Sequence, residues 1–308
     1  MSRKSPMPTL FGSEEFWILA DSTAFVNECA HRGLKSQDIK EINKLPLCSI
    51  IFSFSNAAAK FTLEVANATP AKRAIFCALQ VFEPSLRCAN YSLDLILKSD
   101  FNRALERQRV ILNMFNSGRE FNILGNGSRG QLTLIEQAEP YALIAEDVSG
   151  SFIHSVAEFF EVHYAHMRPQ EPCPFIFNGT LRVSGILTVL RKPNSLLPLD
   201  IKVKLERLSD AIVKHAGFLT VTDNKMTSLM VGNDEYIDVL NAAAGNRGTE
   251  LTEFAVGVND EIAMLMDYSM SSQMNEGIAG VHVAIGDGSS GFHIDFLCPE
   301  VGISPFAE

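Results

Sequence analysis

Two short runs of alternating apolar residues near the carboxyl end constrain the fold more than any other part of the sequence. Residues 279–296 read AGVHVAIGDGSSGFHIDF, with apolar residues at every second position on either side of a glycine-rich segment. Side chains two residues apart lie on the same face of a strand. Glycines between the runs permit the positive φ angles with which a chain reverses direction. The pattern therefore predicts a β-hairpin.

The polar positions of this hairpin carry His282, His293 and Asp295. If the apolar rows share one face, the two imidazoles and the carboxylate share the other. These groups are ligands for Zn²⁺ and similar ions, and strands hold them more rigidly than loops do. The alternative interpretation is a polar face exposed to solvent, which is the ordinary meaning of such alternation.

A further candidate ligand lies upstream, in the segment TELTEFAVGVND at residues 249–260. Apolar residues alternate there with Glu253, Ala255 and Gly257, so Glu253 projects from a face of small residues that has room for an ion or a ligand. The alternative is a charge near the start of a strand that faces water, since Glu is seldom buried without a partner.

Length and composition limit the possible classes of protein. The 308 residues suffice for one large or two ordinary domains, and 46% hydrophobic with 20% charged residues is typical of globular chains. A formal net charge of -10 without a cluster of Lys and Arg argues against a nucleic-acid partner. The sequence shows neither the apolar core of a secretory signal nor an apolar run of membrane-spanning length. The six cysteines lack CxxC spacing and are expected to be reduced. We expect a soluble, cytoplasmic protein that binds neither nucleic acid nor membrane.

The order of predicted elements indicates a mixed α+β fold with two domains. Up to Gly150, buried strands are predicted at 47–54 and 73–82, and helices at 14–33 and 84–116 with a break near Ser99. Beyond Gly150 predicted strands dominate, among them 175–190, 199–205 and 251–258, with one helix near 233–244. The prediction is a small N-terminal α/β domain at 1–150 and a β-rich C-terminal domain at 151–308.

Taken in order, these segments resemble the carboxyl-terminal half of the aminopeptidase T-like (M29) metallopeptidases. TEFAVGVND, NEGIAGVHVAIGDG and HID are similar to the family's Glu-containing strand, its "dEkalGtvHiAlG" segment and its "HxD" strand. The resemblance spans about residues 151–303 and implies a two-metal centre of zinc or another divalent ion. The ligands that it implies are Glu253, His282, His293 and Asp295.

The family has one more ligand Glu, in a "GEvf.aP" strand that precedes an "eGtl" strand. Here SVAEFFEVHYAH precedes NGTLRVSG, which makes Glu158 the best match and Glu161 the second. His163 and His166 in the same segment are interpreted as packing or surface residues, with metal binding as the alternative.

The chain departs from the family at a position that matters for catalysis. Family members have a Tyr seven residues after the first His, where this chain has Ser289, and a longer segment before the HxD strand. Removing one group that stabilises the oxyanion typically costs about 10²–10³ in kcat. Peptide hydrolysis is therefore not expected.

Among relatives of this truncated kind, the chain resembles the peptidase-like proteins of crocagin biosynthesis, a pathway that converts a ribosomally made precursor peptide into a pyrroloindoline alkaloid. The resemblance implies a non-hydrolytic protein that binds the leader of the precursor and presents it to other biosynthetic enzymes. An extended leader could add a strand to the sheet. The alternatives are an active metal-dependent aminopeptidase, or a peptide-maturation enzyme in which the metal stabilises an enolate or an oxyanion. The resemblance also implies a homodimer formed through the β-rich half.

Overall fold

The computed structural model describes residues 7–135, 138–191 and 197–306. The helices are α1 (Met7–Phe11), α2 (Thr23–His31), α3 (Asn56–Asn67), α4 (Leu86–Ile96), α5 (Phe101–Ser117), α6 (Ile201–His215) and α7 (Ile237–Ala243). The strands are β1 (Trp17–Ala20), β2 (Ser36–Asp38), β3 (Cys48–Phe52), β4 (Arg73–Cys77), β5 (Glu120–Gly125), β6 (Ser128–Leu134), β7 (Tyr141–Ala142), β8 (Phe152–Ser155), β9 (Glu161–Ala165), β10 (Phe175–Val183), β11 (Gly185–Val189), β12 (Gly217–Thr222), β13 (Lys225–Val231), β14 (Asp234–Glu235), β15 (Leu251–Gly257), β16 (Gly280–Ile285), β17 (His293–Pro299) and β18 (Gly302–Pro305).

The first sheet is parallel, with strand order β2-β1-β3-β4-β8. Its central strand β3 is buried along its whole length, because helices cover both faces of the sheet. On one face Ile50 and Phe52 pack with Phe25 of α2, and on the other Ile51 packs with Ala58 of α3. These two apolar layers make the sheet a doubly wound α/β unit.

Two antiparallel sheets form the rest of the structure. The second sheet has the order β14-β13-β12-β10-β6-β5-β18, and the third has the order β11-β17-β16-β15-β9-β7. One apolar core joins them, and in it the ring of Phe177 from β10 lies 5.7 Å from that of Phe254 on β15. The third sheet thus buries one face in this core, and its other face is free to carry polar groups.

The chain passes between the sheets several times around residue 150. Strands β5 and β6 precede this residue and pair into the second sheet, whereas β8 follows it and pairs with β4 in the first sheet. The predicted mixed α+β fold is confirmed. The division into domains at 1–150 and 151–308 stays a prediction.

Two predicted elements are wrong. In residues 14–33, Trp17–Ala20 forms strand β1, and the helix begins only after Ser22, whose Oγ accepts a hydrogen bond from the amide of Phe25. Residues 199–205 were predicted as a strand, but helix α6 starts at Ile201. Short apolar runs are ambiguous between a buried strand and a helix, and only packing against neighbours decides between them.

The helical prediction for residues 84–116 is confirmed as α4 and α5, separated near Ser99 as expected. Asp100 begins the second helix, since its carboxylate accepts a hydrogen bond from the amide of Arg103. The predicted carboxyl-terminal hairpin is also confirmed, because β16 and β17 pair antiparallel from Gly280 to Ile285.

Candidate metal centre

The third sheet brings ionisable side chains from four adjacent strands to one of its faces. In one row across the sheet, Ala255 of β15 lies between His163 of β9 and His282 of β16. Residues directly opposite each other in a ladder lie on the same face. The two imidazoles therefore stand on either side of the Ala255 methyl group.

The next row crosses three strands. Glu253 of β15 lies opposite Ala284 of β16, which in turn lies opposite Asp295 of β17. His293 is two residues before Asp295 on the same strand, and Glu161 is two residues before His163 on β9. Period-two alternation adds both to this face. The structure thus brings together Glu253, His282, His293 and Asp295, the residues implied by the sequence resemblance.

The side chains approach to distances at which one cation could contact several of them. His293 Nε2 lies 3.1 Å from Asp295 Oδ1 and 3.6 Å from Glu253 Oε2. On the other side, His282 Nε2 lies 3.5 Å from Glu161 Oε2 and 3.7 Å from Glu253 Oε1.

Two groups of donors satisfy the spacing that a metal ion needs. One consists of Glu253, His293 and Asp295, the other of Glu161, His163 and Glu253, and within each group the ligand atoms lie within 4.8 Å of one another. Glu253 belongs to both. A carboxylate with two oxygens can bridge two ions, so this arrangement suits a pair of cations.

Three buried atoms of the cluster have no hydrogen-bond partner: Glu161 Oε2, His163 Nδ1 and Asp295 Oδ2. Leaving a buried polar atom unpaired costs about 1–3 kcal/mol. Divalent cations bound by imidazole and carboxylate would satisfy all three at once. The residues present therefore fit a divalent metal such as zinc.

A backbone contact fixes the orientation of one imidazole. His293 Nδ1 lies 3.0 Å from the carbonyl oxygen of Gly286, and a carbonyl can only accept, so Nδ1 carries a proton. In the neutral ring the lone pair then resides on Nε2, which faces Glu253 and Asp295. Metal-binding histidines in proteins commonly have this second contact.

Charge within the cluster perturbs its titration. Burial disfavours the charged form of His293, but Asp295, Glu253 and the carbonyl of Gly286 together outweigh burial and raise the pKa of His293 to about 10. Burial acts to raise the pKa of Glu253, yet the hydrogen bond from His282 and the charges of the histidines hold that pKa at about 2. Without a metal, protonated imidazoles therefore compensate the carboxylates.

A fourth carboxylate, Glu276, comes from the segment that crosses this face before β16. Burial and repulsion by Asp295, Glu161 and Glu253 raise the pKa of Glu276 well above its ordinary value. The crossing depends on Gly257, because a Cβ there would overlap the carbonyl oxygen of Ile278. This segment closes one side of the cluster.

The structure places Glu158 outside both groups of donors. Its carboxylate accepts a hydrogen bond of 2.7 Å from the hydroxyl of Tyr141 and lies 2.8 Å from His154 Nδ1. Glu161, the second match in the sequence, occupies the position in the cluster. The sequence already indicated Glu161, since Glu161, Val162 and Ala165 match the E, v and a of the family pattern "GEvf.aP".

His163, interpreted from the sequence as a packing or surface residue with metal binding as the alternative, stacks on Tyr141 and also falls in one of the two groups of donors. His166 lies one residue beyond β9, and its carbonyl oxygen accepts a hydrogen bond from Arg247. Ser289, at the position of the family's Tyr, is exposed in the β16–β17 turn, where its amide donates to Asp287 Oδ1. Position 289 therefore offers the cluster no phenol.

The fold and the site together define a mixed α+β protein with a candidate metal centre on one face of an antiparallel sheet. Comparison with protein families shows to which family the chain belongs. The chain belongs to the crocagin biosynthetic protein CgnE/B family, whose model matches residues 13–305. The resemblance to crocagin biosynthetic proteins is thereby confirmed.

Two solved structures are similar over most of their length. Wild-type AmpT from Thermus thermophilus has 15% sequence identity and a TM-score of 0.49, over 96% of this chain and 91% of that one. The 2,5-dihydroxypyridine dioxygenase from Pseudomonas putida KT2440 has 9% identity and a TM-score of 0.47, over 97% and 90% of the two chains. The comparison with curated proteins finds no match. Within the described residues no helix has the length and apolarity needed to cross a membrane.

Proposed function

We propose that this chain binds the leader of a ribosomal precursor peptide in crocagin-type biosynthesis and presents it to other enzymes of the pathway without hydrolysing it. Family membership supports a role in that biosynthesis. Peptide binding is supported by the position of strand β11 at the edge of the third sheet. Among the described strands β11 pairs with β17 alone, so its other side is available for pairing.

A cleft of about 610 Å³ runs beside this edge. Ile186, Thr188 and Leu190, alternate residues at and just beyond β11, line it from the sheet side, and Leu205 of α6 and Phe82 lie in its other walls. An extended peptide that pairs with an edge strand directs every second side chain to one face. Those side chains would enter this space, which both apolar and polar residues line, and their contacts there would select the sequence.

The same edge lies near the metal centre. His293 of β17 is directly opposite Val189 of β11, and neighbouring strands are about 4.8 Å apart. A peptide strand added to β11 would therefore run two strand spacings, about 10 Å, from the backbone of His293. Its other side chains would point to the face that carries the cluster.

We further propose that the cluster holds a divalent cation, with zinc as the first candidate because imidazole and carboxylate are among its usual ligands. Glu253, His293, Asp295 and Glu161, which belong to the two groups of donors, would hold it together with His282, which belongs to neither group but lies 3.5 Å from Glu161 and 3.7 Å from Glu253. Such an ion supplies a Lewis acid that polarises a carbonyl group or fixes a carboxylate of the bound peptide.

The test is a titration of the purified chain with the leader peptide, followed by mass spectrometry of the peptide. We expect saturable binding and an intact peptide. Thr188→Arg should weaken binding at least tenfold, because the long cationic side chain fills the cleft beside β11. Thr220→Arg is the matched control: Thr220 is also a half-buried strand residue, but on β12 of the second sheet. Equal binding by Thr188→Arg and the wild type would contradict docking at β11.

A second candidate function is a metal-dependent aminopeptidase, which the donor set of the cluster favours. Release of amino acids from the peptide, stopped by a chelator and abolished in His293→Ala, would establish it. The exposed position of Ser289 argues against it, because that residue cannot stabilise an oxyanion at the cluster.

A further inference from the structure

His163 is the one imidazole of the cluster that the sequence resemblance does not account for. With Glu161 aligned to the Glu of the family strand "GEvf.aP", His163 falls on the f, which is Phe in that pattern. The two-residue alternation of β9 then points it to the same face as Glu161. This chain has thus placed a metal-binding side chain where the family pattern has an apolar ring.

The position of His163 is that of a ligand. Its Nδ1 lies 3.4 Å from Glu161 Oε1 and has no hydrogen-bond partner, although the atom is buried. One ligand atom each of His163, Glu161 and Glu253 lie within 4.8 Å of one another. A packing histidine would be expected to satisfy a buried ring nitrogen with a hydrogen bond.

The neighbours of His163 hold its ring in place. Tyr141 stacks on the imidazole with ring centroids 5.2 Å apart and an angle of 21°. The Tyr141 hydroxyl is itself held by Glu158. In the row across the sheet Ala255 lies between His163 and His282, and the Glu161 carboxylate lies 3.4 Å from His163 Nδ1 and 3.5 Å from His282 Nε2. The imidazole is therefore held in place beside the Glu161 carboxylate.

We propose that His163 is a metal ligand that the aminopeptidase T-like pattern lacks, and that it completes with Glu161 and Glu253 a cation position beside that of Glu253, His293 and Asp295. The extra nitrogen shifts this position toward cations that prefer imidazole, such as Zn²⁺ and Co²⁺, and away from Mg²⁺ and Ca²⁺. The inference rests on the metal part of the proposed function and is independent of peptide binding.

The experiment measures metal content and the spectrum of bound Co²⁺. Chelator-treated full-length chains are dialysed against Zn²⁺ or Co²⁺, and bound metal is counted by elemental analysis. We expect two equivalents in the wild type and one in His163→Phe, which restores the residue of the family pattern. His31→Gln is the control, because it removes an exposed imidazole on α2 and should leave two equivalents.

A second variant keeps the test decisive if His163→Phe does not fold. In His163→Cys a thiolate would replace the imidazole, and Co²⁺ should then show a sulfur-to-metal charge-transfer absorption that the wild type lacks. Two equivalents in a folded His163→Phe, or no such absorption in a folded His163→Cys, would overturn the assignment. A wild type that takes up no metal would overturn the metal part of the proposed function too, and would leave peptide binding to its own titration.

Discussion

Glu253 is the residue on which both halves of the candidate centre depend. Its two oxygens face different histidines, with Oε1 toward His282 and Oε2 toward His293. The sequence already indicated its surroundings, because Ala255 and Gly257 share its face. What alternation could not show is that partners from β9 and from β17 would reach it from opposite sides.

At the residue scale, we predict that the metal-free chain loses stability as pH rises. The folded pKa of His293 is about 10, above the ordinary value of 6.5, because Asp295, Glu253 and the Gly286 carbonyl together outweigh burial. A group with a raised folded pKa stabilises the fold fully below its unfolded pKa and loses this contribution as pH approaches the folded value. The free energy of unfolding should fall by about 1.4 kcal/mol per pH unit for one such group. Urea unfolding in chelator between about pH 7 and 9 measures it.

Glu276 should also lower the free energy of unfolding as pH rises, since burial and neighbouring carboxylates raise its folded pKa. The control is His293→Gln, in which the pH dependence should flatten. With Zn²⁺ present the slope should diminish or reverse, because metal binding requires deprotonated ligands. A metal-free chain whose stability increases over this range would refute the assignment of charge in the cluster.

At the element scale, the close crossing of the segment 276–278 over β15 determines how the cluster is enclosed. Gly257 permits it, and a Cβ there would meet backbone, which cannot move as a side chain can. We predict that Gly257→Ala costs about 1–3 kcal/mol in the free energy of unfolding, as overpacking does. It should also weaken metal uptake at least tenfold, because Glu276 and β15 are displaced.

Chemical unfolding and metal titration check this prediction. Gly150→Ala is the matched control, since a Cβ at Gly150 meets nothing within 4 Å. A Gly257→Ala variant that is as stable as Gly150→Ala and has unchanged metal affinity would show that the close approach of residues 276–278 to β15 does not depend on Gly257.

The sequence predicted best those elements whose conformation follows from the local spacing of their apolar residues. Period-two alternation was sufficient for the β16–β17 hairpin, and spacings of three and four were sufficient for α4 and α5. It was wrong at β1 and at the start of α6, where a short apolar run fits both a strand and a helix. In those places burial against a neighbouring element decides the conformation.

At the scale of the whole molecule, the outer face of the second sheet is the surface on which we expect a dimer to form. Leu124, Ile176 and Phe218 project from it and remain exposed by 53%, 42% and 47%. Apolar side chains of this size on one face are common at protein interfaces. The wild type should sediment as a homodimer, and Phe218→Asp should raise its dissociation constant at least tenfold.

Sedimentation velocity at several concentrations measures this equilibrium. Val213→Asp is the control, because Val213 is exposed to a similar degree, 43%, but lies on α6. A wild type that is monomeric at concentrations of tens of micromolar, or a dimer that Phe218→Asp leaves intact, would exclude this face as the interface.

The amino-acid sequence by itself predicted the hairpin and the alternation of its faces, because the geometry of a strand repeats every two residues and needs no distant partner. The resemblance to the aminopeptidase T-like proteins implied the four candidate ligands. Only the tertiary structure brings Glu161 and His163 into one group with Glu253 and places Glu158 outside both groups. Strand β9 reaches the site by pairing with β15, about ninety residues later in the chain, in a register that places His163 opposite Ala255. Pairing over such a distance depends on how whole sheets pack, and local patterns carry no information about it.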